Sequence, residues 1–128
     1  MTEQHTLYDE VGGQPFFGRL AAAFYLRVRE DPVLLPMYPA DDMAGAERRL
    51  ALFLVQYWGG PTTYSEERGH PRLRMRHMPF KVNPEAREHW LACMSAALDE
   101  VDPTPLVRGA LWDHFDRVAH AMINTLEP

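Results

Sequence analysis

The chain of 128 residues has a single cysteine, Cys93. No internal disulfide can form and no multi-cysteine zinc site can be built, so a reducing cytoplasm is the expected compartment. Basic residues are in the minority, 13 against 18 acidic, for a net charge of −5. That balance argues against general binding to a phosphate backbone. The longest apolar stretch, Leu50 to Val55, is far too short to span a membrane. The opening MTEQHTLYDE lacks the basic-then-apolar layout of a secretion signal, and none is expected. A nucleophile elbow, a P-loop, a dinucleotide fingerprint and an HExxH pair are all missing. So is any sustained period-two alternation, the mark of half-buried strands. What is present is an ordinary globular composition, 46% hydrophobic and 24% charged, at the size of one domain, read as residues 1–128.

Eleven prolines and eight glycines cut the chain into helix-sized pieces. Thr6 to Val11 reads as a short helical start stopped by Gly12-Gly13. Pro15 then opens a helix at the turn where its missing N–H costs nothing. Phe16, Leu20, Ala23, Phe24 and Val28 follow at helical spacing, and Pro32 stops the run near Glu30 or Asp31. Pro32 to Pro39 makes an apolar corner. Asp41 and Asp42 are N-cap candidates for a helix whose apolar face is Ala46, Leu50, Phe53, Leu54 and Tyr57, ended by Gly59-Gly60-Pro61. Thr62 to His70 reads as an irregular polar loop, and Pro71 to His77 as a helical turn or two. Asn83-Pro84-Glu85 starts a helix with the stripe Trp90, Met94, Leu98 and Val101. After the break at Asp102 to Pro105, Leu111, Phe115, Val118 and Met122 carry the last stripe. Four long helices and some short ones predict an all-α class.

Among six histidines, His5, His70, His77, His89, His114 and His120, none forms an i, i+4 pair. A surface position or an internally bonded ring is the ordinary reading for each. His77 stands apart because Leu73 lies four residues before it and Phe80 and Val82 follow a proline. A lone imidazole held against apolar surface suits axial ligation of haem iron. Arg68, Arg72, Arg74, Arg76 and Lys81 crowd the same stretch without an acidic residue between them. Such a patch can be a solvated face, a short nucleic-acid contact, or the partner of carboxylates on a buried cofactor. Tyr25, Tyr38 and Trp90 each bring one polar hydrogen into an otherwise apolar face. Each can donate to a backbone carbonyl, or all three can share one acceptor.

The stretches YDEVGG (8–13), FY (24–25), LLPMYP (34–39), the block DDMAGAERRLALFLVQYWGGPTTYSEERGHPRLRMRHMPF (41–80) and Trp90 resemble the truncated haemoglobins, and within them the second group, the O-type of actinobacteria. Beyond about Val101 the likeness is only that of an apolar helix. The resemblance implies a two-over-two truncated globin fold around one haem b. It makes His77 the proximal ligand of the haem iron and Tyr25, Tyr38 and Trp90 the distal residues that steady a bound ligand. Phe24, Ala46, Leu50 and Phe53 would line the distal pocket. Arg49, Arg74 and Arg76 would meet the haem propionates, and Leu73, Phe80 and Val82 would touch the haem's proximal face. The other five histidines keep their ordinary reading.

The implied function is reversible binding of O₂ and of other small ligands such as NO, CO and sulfide. Tyrosine O–H and indole N–H can donate to a ligand that gains negative charge on binding, and Ala46 cannot. Each such bond is worth roughly 1.5–3 kcal/mol, which points to slow O₂ release. NO dioxygenation or weak peroxidase chemistry would need an external reductase, since no flavin or nicotinamide site is present. A haem-based sensor or ligand store without turnover is the alternative. A helical interaction module without cofactor is the third reading. No nucleic acid and no membrane span are expected, and the protein is read as a monomer or homodimer.

Overall fold

A computed structural model describes residues 5–128, so the first four positions of the stretch read for a leader lie outside it. Most of the helices begin where a side chain or a proline can satisfy or omit the first N–H groups. Helix α1 (Leu7–Glu10) opens on a capping box in which Asp9 N–H donates to Thr6 Oγ1 at 3.2 Å and Thr6 N–H to Asp9 Oδ2 at 3.1 Å. Helix α2 (Gln14–Val28) has Pro15 in its first turn. A 3₁₀ turn (Leu35–Met37) forms the proline-bounded corner. Asp42 caps α3 (Met43–Tyr57) by accepting from Gly45 N–H at 3.1 Å. Two short helices follow, α4 (Thr63–Arg68) and α5 (Leu73–His77). Asn83 caps α6 (Pro84–Val101), accepting from Ala86 N–H at 2.8 Å, and Thr104 caps α7 (Pro105–Ala121).

The buried residues of α2 cover more than one stripe, from Phe16 and Phe17 through Leu20, Ala21 and Phe24 to Val28. A helix apolar over so wide an arc can face two neighbours. Accordingly α2 packs against both α3 and α6, and α6 packs against α7. The long helices thus form two pairs, α2 with α3 and α6 with α7, joined through α2 on α6. Phe17, Leu20, Val28, Met94, Leu98 and Leu111 lose all solvent contact in that junction. Each such side chain contributes roughly 1.5–3 kcal/mol by leaving water. Among the described residues, no helix is long and apolar enough to cross a membrane.

The double glycine after α3 is required by close approach. Gly59 has φ +106°, and a Cβ there would lie 2.6 Å from the Thr6 side chain. At Gly60 a Cβ would meet the Tyr8 ring at 2.6 Å. Helix α1 can therefore lie against the end of α3, where Tyr8 N–H donates to the Trp58 carbonyl at 3.0 Å.

The expected polar loop from Thr62 to His70 is corrected: it contains α4. A six-residue helix does not stand alone in water, and tertiary contacts hold this one. Tyr64 is buried against Phe53 with ring centroids 5.6 Å apart. Gln56 clamps Ser65, donating to Oγ at 2.7 Å and accepting from the Ser65 N–H at 2.9 Å. Periodicity could not show this, because one buried residue per two turns leaves no stripe.

Candidate functional site

The helix pairs and the α4–α5 segment enclose a cavity of about 510 Å³. Its wall takes Phe24 and Tyr25 from α2, Tyr38 from the corner, Ala46, Arg49, Leu50 and Phe53 from α3, Leu73, Arg76 and His77 from α5, Phe80 and Val82 from the following loop, and Trp90 from α6. These thirteen residues are all named by the sequence reading. Arg74 is the exception. Its guanidinium donates to the Ala121 carbonyl and it is not part of the wall. Two residues of α5, about 200° of helical turn, separate it from Arg76, so the helix sends the two side chains different ways.

His77 stands at the end of α5, and its Nδ1 lies 2.6 Å from the Leu73 carbonyl oxygen. A carbonyl only accepts, so Nδ1 carries the proton and Nε2 keeps a free lone pair. That tautomer is the one an imidazole needs to bind a metal through Nε2. Arg72, just before α5, adopts the left-handed conformation (φ 48°, ψ 49°), turning the chain sharply into the helix. Asn124 locks the segment from its other end: its Nδ2 donates to the carbonyls of His77 at 3.3 Å and Phe80 at 2.9 Å, and its Oδ1 accepts from Val82 N–H at 3.0 Å.

The three expected donors share one aromatic cluster. Tyr25 and Tyr38 meet edge to face at 5.4 Å, Phe24 lies 5.3 Å from Tyr25, and Trp90 lies 5.1 Å from Phe24. Burial pushes the Tyr25 phenol up to about 12. Burial, then the neighbouring Tyr25, raises the Tyr38 phenol further, while the nearby Trp90 indole works the other way. Both hydroxyls therefore keep their hydrogens across the neutral range and can donate.

Asp31 ties two walls together. Its carboxylate accepts from Val33 N–H at 2.9 Å, from Leu34 N–H at 3.0 Å and from His89 Nδ1 at 2.8 Å. The first two shape the corner that carries Tyr38, and the third reaches the residue beside Trp90 on α6. Burial pushes the Asp31 carboxyl up, but the bonds from His89, Leu34 and Val33 outweigh it and hold the group below its ordinary value.

Sequence reasoning missed part of the wall. Leu34, Met37, Tyr64, Ala86 and Arg87 contribute, as do His114, Phe115, Val118, Ala119 and Met122 of α7, while Arg68, also on the wall, belongs to the cationic patch seen in the sequence. The α7 stripe was visible as apolar spacing, yet nothing local said that it faces a cavity. His114, given the ordinary reading, is buried and stacks on Tyr57 at 4.0 Å and against Trp58 at 5.4 Å. Burial lowers its affinity for a proton, and the neighbouring Arg117 adds to this.

A haem is a flat apolar macrocycle with two carboxylates, and the wall suits each part. Most of the lining is apolar, His77 offers a free Nε2, and Arg49, Arg68, Arg76 and Arg87 supply cations. Arg87 Nε is buried without a hydrogen-bond partner, a donor left over on this side of α6.

The bacterial-like globin family matches residues 6–124, which extends well past the segment carrying the sequence resemblance. A group 2 truncated hemoglobin of Bacillus subtilis, YjbI, is 39% identical over 118 residues, covering 92% of this chain and 89% of its own length. A thermostable hemoglobin of the actinobacterium Thermobifida fusca superposes with a TM-score of 0.90 at 53% identity, covering 96% of this chain and 100% of that one. A truncated oxygen-avid haemoglobin of Bacillus subtilis gives 0.88 at 38% identity, covering 94% and 100%.

Proposed function

Because the chain belongs to the bacterial-like globin family and is a group II truncated haemoglobin, a haem protein that binds small ligands, we propose that it takes up O₂ reversibly and releases it slowly. The observation that carries this is the meeting of Tyr25, Tyr38 and Trp90 in one cluster on the cavity that also holds His77. Bound haem supplies an open iron position for a diatomic gas. His77 would hold the haem through Nε2. Arg49 and Arg76 would meet its carboxylates, and Leu73, Phe80 and Val82 would pack on its face. The two phenols and the indole would donate to the ligand's outer atom.

A hydrogen bond to a charged acceptor contributes roughly 1.5–3 kcal/mol. That is about a tenfold to hundredfold slower release per good bond. Ala46 donates nothing, so donation falls to those three side chains. A relative is described as oxygen-avid, and the same behaviour is the expectation here. NO, CO and sulfide are further ligands of the same pocket, and NO dioxygenation with an external reductase in the cytoplasm is the redox role that fits it. Efficient peroxide cleavage is not expected. It wants an acid–base group beside the ligand, and the one further imidazole on the wall, His114, is stacked among Tyr57 and Trp58.

The test is O₂ release from the haem-loaded protein by stopped flow. Tyr38→Phe and Trp90→Phe should each release O₂ about ten times faster or more, while His77→Ala should lose the haem Soret band. Release as fast as from a pocket without donors, and unaltered by either substitution, would overturn the proposal. Rapid mixing of the oxygenated protein with NO then decides the redox role: nitrate and ferric haem support it, and recovery of ferrous haem refutes it.

A further inference from the structure

Apart from Arg19, the arginines of this chain divide into two populations. Arg27, Arg29, Arg48, Arg49, Arg87, Arg108 and Arg117 each lie within 4.0 Å of a carboxylate. Arg68, Arg72, Arg74 and Arg76 have no such partner among the described residues. All four are exposed, in a stretch that runs to the exposed Lys81 without one acidic residue. Arg68 and Arg76 turn to the cavity, whereas Arg72, Arg74 and Lys81 are not part of its wall. Two haem carboxylates would not neutralise such a set, and the rim stays positive in a protein of net charge −5.

Two apolar side chains stand among these cations. Met75 is 58% exposed and Met78 is 65% exposed, and neither lines the cavity. Arginine and methionine are enriched in protein interfaces, while aspartate and glutamate are depleted there. A ring of like charge around exposed apolar side chains fits a partner of opposite charge with an apolar centre.

We propose that this face, from Arg68 to Lys81, docks an acidic one-electron carrier protein. The proposal rests on the haem reading above. In the step it serves, the reduced carrier gives up one electron and ferric haem takes it, with no proton or group transferred. The site lies on the segment that also carries His77, so a carrier seated there stands next to the haem pocket. A nucleic acid would meet the same charges, but the rest of the chain is acidic and repels it.

The test uses the ferric haem-loaded protein and a photoreduced plant-type ferredoxin, an acidic carrier. Complex formation is measured by calorimetry, and electron transfer by the second-order rate of haem reduction. Both should weaken as salt rises. Arg72→Glu and Met75→Glu should each slow reduction at low salt on the order of tenfold, and Arg72→Asn, which suits a left-handed residue, should give a smaller loss. Arg19→Glu, the same charge change on α2 away from the cavity, should do neither. Reduction by dithionite and O₂ release should stay unchanged in Met75→Glu and Arg19→Glu. Equal effects of Arg19→Glu and Arg72→Glu, or salt-independent reduction, would overturn the docking proposal. So would binding to anionic vesicles that Arg72→Glu abolishes while ferredoxin fails to bind. Failure of the unaltered protein to hold haem would instead overturn the function proposed above.

Discussion

Replacing Asp31 removes a carboxylate that touches neither the cavity nor a ligand, yet it should alter both stability and ligand release. The carboxylate accepts two backbone N–H groups and the His89 ring, all within 3.0 Å. Its side chain is only 15% exposed. Loss of a capping acceptor costs about 0.5–2 kcal/mol, and a bond involving a charged group about 1.5–3 kcal/mol. Partial replacement by water lowers the sum, so Asp31→Ala should destabilise by about 2–4 kcal/mol. Asp31→Asn keeps an acceptor oxygen and should cost about half as much. The folded carboxyl is held below its ordinary value of 3.8. A depressed carboxylate contributes stability that is full above the unfolded value and lost as pH falls through the folded one. The gap between wild type and Asp31→Ala should therefore be widest at neutral pH and narrow from pH 5 toward pH 3. Urea unfolding followed by circular dichroism measures this. Because Asp31 shapes the Tyr38 corner and holds the residue beside Trp90, O₂ release should also quicken severalfold in Asp31→Ala. A pH-independent gap would refute the charge argument. Wild-type O₂ release in a destabilised Asp31→Ala would refute the positioning argument.

Ala46 is buried on the cavity wall beside Leu50, and a larger side chain there would fill the space on the α3 side. Ala46→Phe should slow ligand association severalfold after flash photolysis, and an unchanged association rate would count against a route past this residue. His114 gains its proton less readily than the ordinary value of 6.5 because it is buried. The unfolded chain then binds more protons than the folded one, so stability rises with pH up to about 6.5 and falls as pH drops below it. His114→Gln should flatten that slope in thermal melts between pH 7 and pH 5, and an identical slope would refute the assignment.

Much of the fold was legible because helix boundaries are local chemistry. Asp42, Asn83 and Pro15 mark helix starts whether or not anything packs on them. Of the site, Ala46, Leu50 and Phe53 share one helical face, so their common destination could be read from spacing. The short α4 could not, since Tyr64 and the Gln56 clamp on Ser65 act only once α3 lies alongside. Arg74 and Arg76 look equivalent in the sequence. Their spacing on α5 sends them different ways, and only the position of the end of α7, where the Ala121 carbonyl accepts from Arg74, decides which of them stays on the cavity.

Residue order alone determined that this chain is helical, where its long helices begin, which imidazole has an apolar setting, and where its positive charge gathers. Those properties arise from hydrogen bonds and side-chain periods within a few residues. Tertiary packing decided the rest: that Tyr25, Tyr38 and Trp90 meet, that Asp31 and His89, 58 residues apart, join two walls, and that Asn124 pins the loop after His77. Such contacts depend on the crossing of helices distant in the chain, and no local pattern of residues encodes a crossing.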